Sequence, residues 1–524
     1  MSRTRLFTRP IYWLLILALV LSLAIVAVPA GSKVSAAPNE IWVDDDYCDG
    51  CYNDGHTWGY DAFARIQDGI DKVKLALPAT VYVAAGNYSV ERGITLFPKL
   101  QLLGAGADVT TIDGAGVSGN VVYVPSAGPE TKLDGFTITN GKRGIFLQAL
   151  SSPVISNCRF VGNNSLGSHQ AGGGMYNWHS SPAVTNCTFS GNSVDFSGGG
   201  MYNFYSSPNV TNCTFSDNSA DSGGGGMGNG NSSPNVTNCV FSDNHALFVG
   251  SGAGMSNDFA SSPTVTNCVF WGNYAIRYGG GMYNLHNSSP TVTNCILVNN
   301  NGDWDGGGLC ADAAHPIDYN DVWNNSPNNY GGSCSPGPND VSLDPIFVNP
   351  SAHDYHSQPG SPCIDAGTND GAPGGDMDGN DRPIDGNGDG TATTDMGAYE
   401  YVLVAVEFSA TPTMGPTPLE VQFTDETPGD IDTWNWDFGD GGTSSEQNPT
   451  HVYTLPGSFT VSLIVSGPSG GGTETKVDYI HPYAQGVGGE AYPVDRLAIL
   501  APWFGLAALL LGGTGWLVLR RRRA

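Results

Sequence analysis

Residues 182–192 set the pattern from which most of this chain is built. Val184, Cys187 and Phe189 are apolar, and Thr185, Thr188 and Ser190 between them are small and polar. A strand turns successive side chains to opposite faces, so strict alternation would put Val184 and Cys187 on opposite sides. Both point inward only if Asn186 breaks the period, and asparagine enters the left-handed conformation more readily than other non-glycine residues. The pattern predicts a strand ending at 184–185, a corner at Asn186, and a second strand over 187–189. A second corner at Gly191 and Asn192 and a third strand over 201–203 follow.

The unit recurs. Ser-Ser-Pro begins at Ser151, Ser180, Ser206, Ser232, Ser261 and Ser288, and each copy leads to an Asn-Cys pair ending at Cys158, Cys187, Cys213, Cys239, Cys268 and Cys295. Those cysteines are 29, 26, 26, 29 and 27 residues apart. A glycine run before an apolar residue completes each unit, as in Gly172-Gly173-Gly174-Met175-Tyr176-Asn177. Three short strands per turn describe one coil of a parallel β-solenoid. A single coil cannot bury its inner face, but coils stacked roughly 4.8 Å apart share a continuous core and pair every backbone group. Ladders of Val184, Val210, Val236, Val265 and Val292, of Phe189, Phe215, Phe241 and Phe270, and of Met175, Met201, Met227, Met255 and Met282 are expected. Glycine runs, β-branched residues and a proline per unit oppose helical repeats, and propeller blades need about 40 residues.

These residues resemble the pectate-lyase-like right-handed β-helix superfamily. The Phe-x-x-Asn element (Phe160 to Asn163, Phe189 to Asn192, Phe215 to Asn218) with Gly-Gly-Met is also similar to repeats of polymorphic outer-membrane adhesins. Upstream, Phe63-x-x-Ile66-Gln67-x-Gly69-Ile70, Val81-x-Val83-x-x-Gly86-x-Tyr88 and Leu103-Gly104-Ala105-Gly106 look like the N-terminal cap and first coils of the superfamily. The resemblance covers residues 41–348. It implies a fold and names no reaction, because that fold hosts lyases, hydrolases, esterases and adhesins alike.

A different pattern begins at Asp344-Pro345-Ile346-Phe347. It continues through Gly360-Ser361-Pro362-Cys363-Ile364-Asp365-Ala366-Gly367 and Asp381-Arg382-Pro383 to Asp395-Met396-Gly397-Ala398-Tyr399-Glu400-Tyr401. This stretch resembles the choice-of-anchor module that follows β-helices in bacterial surface proteins. It is expected to cap the open end of the solenoid, where unpaired strand edges invite aggregation. Inside it, Asp385, Asn387 and Asp389 alternate with glycines, and Asp376, Asp378 and Asn380 share the spacing. Oxygen ligands at alternate positions open a Ca²⁺ loop. The twelfth position of an EF-hand would fall on Met396, so the two readings are a looser Ca²⁺ site and a plain Asn/Asp/Gly turn. Beyond, residues 419–423 and 459–463 alternate as half-buried strands. Trp434-Asn435-Trp436-Asp437-Phe438-Gly439-Asp440-Gly441 with His451-Val452-Tyr453 closely resembles the polycystic-kidney-disease-type (PKD) repeat, an immunoglobulin-like sandwich used as an extracellular spacer or contact module.

The two ends read as export and anchoring signals. Arg3, Arg5 and Arg9 precede an apolar run over 14–28 and small residues up to Ala37, as in a secretory signal. Residues 497–519 carry no charge and are long enough to span a bilayer, and Arg520 to Arg523 would hold that end in the cytoplasm. The expected organisation is a signal peptide (1–37), a right-handed parallel β-helix (38–343), a choice-of-anchor-like module (344–401), a PKD-type β-sandwich (402–483), a linker (484–496), one transmembrane helix (497–519) and a basic tail (520–524). The fold class is all-β apart from that helix. Most of the chain would lie outside the cell.

Composition narrows the partners. The formal net charge is −28 with only 13% charged residues, which disfavours nucleic acid because phosphate binding needs clustered Lys and Arg. Of 11 cysteines, six lie on one inward ladder. Parallel stacking points their sulfurs the same way, so free buried thiols are preferred there over disulfides. Cys48 with Cys51, and Cys310 with Cys334, are candidate bridges. Catalysis on a sugar polymer needs charged groups converging on one face. The repeats supply almost none: His169, His179, His245 and His286 fall at non-equivalent positions without an evident carboxylate partner, and no residue is assigned as catalytic. Corner loops do carry aromatics: Trp178, Phe204, Tyr205, Phe259, Trp271 and Trp304. Aromatic faces on an uncharged, hydroxyl-rich scaffold suit sugar rings, and packing on adjacent coils is the competing explanation. The sequence thus predicts a membrane-anchored surface protein binding an extracellular polysaccharide or surface protein. A surface polysaccharide lyase or hydrolase and a passive stalk are the alternatives.

Overall fold

The computed structural model describes residues 38–485 apart from 166, 168–169 and 468–469. The expected signal peptide, most of the linker, the transmembrane segment, the basic tail and His169 lie outside them. Among the described residues no helix is long and apolar enough to cross a membrane. The chain divides into two compact units, one ending at Leu403 and one beginning at Val404.

The first unit is a parallel β-solenoid. One coil runs through Ala183–Thr185, Thr188–Ser190, Ser193–Val194 and Met201–Phe204. Equivalent strands stack into sheet 1 (12 strands), sheet 2 (10), sheet 3 (6) and sheet 4 (10), in that order round the coil. The expected three-strand coil is thus corrected by a fourth side. Its strands are two residues long, too short to leave a periodic signal. Asn157, Asn186, Asn212, Asn238, Asn267 and Asn294 all turn the first corner with φ between 49° and 55°, the conformation their position between two inward residues demands. Val184 pairs with Val210, Phe189 with Phe215 and Met201 with Met227 in direct register. The Phe rings stack 4.7–4.9 Å apart and within 7° of parallel.

Polar ladders share this interior. Asn163, Asn192, Asn218, Asn244, Asn273 and Asn300 are fully buried. Each passes a side-chain N–H to the next asparagine oxygen, ending on Asn325, at 2.8–3.1 Å. Each also donates to a carbonyl of the preceding coil, as Asn218 does to Phe189 at 2.8 Å. Every rung is satisfied, so the ladder fixes register instead of costing stability. The glycine run lets the chain close over it: a Cβ on Gly200 would sit 2.6 Å from the Gly226 carbonyl and 2.9 Å from the Phe215 ring. The six ladder cysteines are buried free thiols and Cys48 bridges Cys51. Cys310 and Cys334 are free, which corrects the second expected pairing. At the N-terminal end the amphipathic helix Ile66–Val73 buries Ile66, Ile70 and Val73 against the first strands.

Residues 344–401 do not cap the solenoid end. They lie along its side, over the outer face of sheet 2. Phe347, Tyr355, Cys363, Met396 and Ala398 cluster there with Val240, Val269, Ile296 and Val298. The corner asparagines hold the seam: Asn238 donates to the Gly375 carbonyl at 2.8 Å, Asn267 to Asp395 at 2.9 Å and Asn294 to Thr368 at 2.9 Å. Uncovered coils carry half-buried Thr188 and Thr214 where covered ones carry Val240, Val269 and Ile296.

The second unit is a β-sandwich of a three-stranded and a five-stranded sheet. Phe408, Phe423, Trp436, Phe438, Tyr453 and Leu463 form its core. The alternating residues Leu419, Val421 and Phe423 of Leu419–Asp425 face inward as the sequence predicted.

Candidate functional site

The corner between sheets 4 and 1 breaks the chemical rule of the others. There the left-handed residues include His179, Tyr205, Asn231, Phe259 and His286, with φ of 49°, 49°, 51°, 54° and 50°, beside Ala149, Leu150, Ala260 and Asn287 at 58–62°. A backbone ladder fixes their register: the N–H of His179 donates to Phe204, that of Tyr205 to Gly230 and that of Asn231 to Asp258. An L-residue in this conformation costs roughly 1–2 kcal/mol, which asparagine offsets in part and bulky side chains do not. The rings gain little packing in return, since Tyr205 is 50% and Phe259 52% exposed.

The rings form a ridge along the solenoid. His179 and Tyr205 stack at 4.9 Å and 2°, and Phe259 and His286 at 5.4 Å and 20°. Trp178 lies 5.7 Å from His179, and Phe204 meets Tyr205 edge-on at 4.6 Å. Behind them, on the outer face of sheet 4, Tyr123, Phe146, Tyr176 and Tyr202 follow one another at 5.2–5.9 Å, the first pair stacked and the next two tilted by 32° and 42°. The Arg143 guanidinium covers Phe146 and Tyr176 at 5.2 and 4.9 Å, and burial pushes it down to about 10. His286 Nδ1 is 2.6 Å from Asp258 Oδ1, and its backbone N–H donates to Asp312 at 2.8 Å. The sequence-based expectation that His286 has no carboxylate partner is corrected.

The structure therefore brings Trp178, Phe204, Tyr205 and Phe259 onto one ridge and adds His179 and His286, which the sequence had placed at non-equivalent positions. Trp271 is elsewhere: it sits half-buried on sheet 2, 5.9 Å from Tyr355 in the 344–401 module. Trp304 is exposed on the sheet 3 to sheet 4 side, edge-on to Tyr278 at 5.4 Å and under the Arg277 guanidinium. His245 lies beside Tyr274.

The Ca²⁺ candidates are held as hydrogen-bonded turns. Asp376 accepts from the N–H groups of Asp378, Asn380 and Glu400 and from the Asn380 amide, at 2.8–3.0 Å. Asp378 pairs with His356 at 2.7 Å. Asp385 accepts from Gly388, Asp389 and Gly390, while Asn387 and Asp389 accept from Asp389 and Thr391. A cation in either loop would compete with these N–H groups for the same oxygens. Among the described residues the acidic side chains that converge as a trio are Asp44, Asp45 and Asp46, which the sequence reading did not single out.

Two family models match the chain: a right-handed β-helix region over residues 119–289 and 220–344, and a PKD domain over 404–481. Collagenase ColQ1 of Bacillus cereus (strain Q1) is 55% identical over 42 residues, 8% of this chain and 4% of that protein. Collagenase ColA of another Bacillus cereus strain is 43% identical over 63 residues, 11% of this chain and 7% of that one. The chain thus spans under a tenth of the length of these curated relatives. Among solved structures, the PKD1 domain of Vibrio anguillarum Epp is 28% identical, covered completely by 16% of this chain with a TM-score of 0.14. The catalytic unit of a GH87 α-1,3-glucanase from Streptomyces thermodiastaticus strain HF3-3 is 12% identical over 53% of this chain and 66% of its own, with a TM-score of 0.20. That similarity is too low to bear on activity. The chain is an all-β protein, a right-handed β-helix followed by a PKD-type β-sandwich.

Proposed function

We propose that this is a cell-surface protein whose β-helix binds polysaccharide through the ring-bearing corner. The observation that carries the reading is the left-handed backbone at Tyr205 and Phe259. Strained conformations persist where a function uses them. Here the strain holds exposed rings in line along a rigid face, and flat apolar rings suit the apolar faces of sugars. Export by residues 1–37 and anchoring by residues 497–519 belong to the same proposal and rest on the sequence pattern at the two ends. On a glycan array the full-length protein is expected to bind neutral oligosaccharides. Trp178→Ala should weaken that binding and Trp271→Ala should leave it unchanged, because Trp271 packs against Tyr355. Equal loss in both variants would count against the ridge.

A second reading, cleavage of the bound polysaccharide, draws support from the Asp258–His286 pair with Asp312 beside it on the ridge. Release of new reducing ends, abolished by Asp258→Asn, is the measurement that would favour it.

A further inference from the structure

The ridge is a ladder with one rung missing. His179 and Tyr205 face each other across one coil step, and Phe259 and His286 do so across another. The coil between these pairs puts Asn231 at the ring position. The strand leading to it, Met227–Gly230, carries glycine at 228 and 230, over which the Tyr202 and Phe204 rings of the neighbouring coil lean, so the open position is the corner at Asn231 itself. A gap of two coil steps, roughly 9.5 Å, therefore separates the Tyr205 and Phe259 positions. A ring inserted midway would lie about 4.8 Å from each, close to the 4.9 and 5.4 Å of the ring pairs on either side.

We propose that this gap is a binding slot for a single neutral pyranose ring, held between Tyr205 and Phe259 as the missing rung. The proposal rests on the glycan-binding reading above and specifies where on the ridge one sugar is gripped. A pyranose offers C–H groups on both faces and hydroxyls round its edge. The two aromatic walls match the faces. The exposed Asn231 amide and the Asp258 carboxylate, beside Phe259, match the hydroxyls. An aromatic side chain of a partner protein would also fit the width, but its apolar edge would cover those polar groups without bonding them, which is costly. A sugar acid is disfavoured by Asp258. Asn231 itself takes the left-handed corner without the strain that a bulky residue brings, so the gap keeps the turn intact while leaving the ring space open.

The test fills the slot instead of removing its walls. Asn231→Phe places a ring where Phe259 and Tyr205 already show that the backbone accepts one. The full-length protein and the variant are titrated with the neutral oligosaccharide that binds best on an array of gluco-, galacto-, manno- and xylo-oligosaccharides. The variant is expected to bind about ten-fold or more weakly, from two lost stacking faces, with a melting temperature unchanged or slightly lowered by the strain of a bulky residue in the left-handed corner. Asn231→Ser, which leaves the slot open and loses only the amide's bond to the sugar, should bind more weakly than the parent but clearly more tightly than Asn231→Phe. Unchanged binding by Asn231→Phe overturns the slot while the glycan-binding reading stands. The absence of any bound glycan overturns both. Stronger binding of a Trp- or Phe-tipped peptide that Asn231→Phe blocks overturns the sugar assignment.

Discussion

Replacing Asp321 with asparagine should stabilise the protein above neutral pH. Asp321 follows Ile296 in register, at the outward position that Val240, Val269 and Ile296 fill in earlier coils under the 344–401 module. It is fully buried. Its oxygens accept from the Leu343 N–H at 3.1 Å and the Cys363 thiol at 3.4 Å. Burial outweighs these two bonds, and with Asp344 and Asp340 nearby the carboxyl is pushed up to about 7. In the unfolded chain it titrates near 4. Between those values the folded protein keeps a proton that the unfolded chain has lost, so stability falls as pH rises from about 4 to about 7 and levels off above. At ~1.4 kcal/mol per pH unit the full effect is about 4 kcal/mol. Asparagine keeps an acceptor for Leu343 and never ionises. In denaturant titrations followed by tryptophan fluorescence, the advantage of Asp321→Asn over the parent should grow by about 3 kcal/mol between pH 5 and pH 8. An advantage that does not change with pH, or a variant less stable at pH 8, would refute the argument.

Two further outcomes test the interior, with an outer-face substitution as the control. Asn218→Ala strands the Phe189 carbonyl and the Asn192 N–H groups, and should cost about 4 kcal/mol in chemical denaturation at ~1–3 kcal/mol per buried orphan. Thr211→Ala on the outer row of sheet 1 should stay within about 0.5 kcal/mol. The six ladder thiols are buried, and that burial pushes Cys158 and Cys187 well above the usual thiol range. A thiol-specific chromogenic reagent should leave all six unlabelled in the native protein and label them in denaturant. Labelling under native conditions, or inter-coil disulfides by mass spectrometry, would contradict the dry ladder.

What the sequence disclosed follows from what repeats in it. Val, Cys, Phe and Met recur at fixed spacing because each must face the same interior. Asn186 and its equivalents could be placed at a corner because no other arrangement turns both Val184 and Cys187 inward. The fourth sheet escaped because strands such as Ser193–Val194 are too short to show a period. The position of the 344–401 module was written in the switch from Thr188 and Thr214 to Val240, Val269 and Ile296. That signal is easily read as ordinary variation within a strand, and an exposed solenoid end made capping the more obvious need. The ridge was half legible. Trp178, Phe204, Tyr205 and Phe259 stood out as corner-loop aromatics, but Trp271 and Trp304 were grouped with them, and the histidines looked isolated. Tyr and Phe are poor occupants of a left-handed corner, so nothing in their identity announces that they share one with His179 and His286. Trp271 shows the converse: an aromatic in a repeat whose neighbour is a module distant in sequence.

Relieving the strain on the ridge gives the most direct test of the account. In the double variant Tyr205→Asn with Phe259→Asn, each corner regains the residue that turns the other asparagine corners. Full-length protein and variant are compared by retention on immobilised polysaccharide and by thermal melting. The account predicts that the variant loses retention while its melting temperature holds or rises, because the rings serve a ligand and cost the fold. A variant that melts lower and is retained as well as the parent would show that the rings serve packing, and would contradict the account.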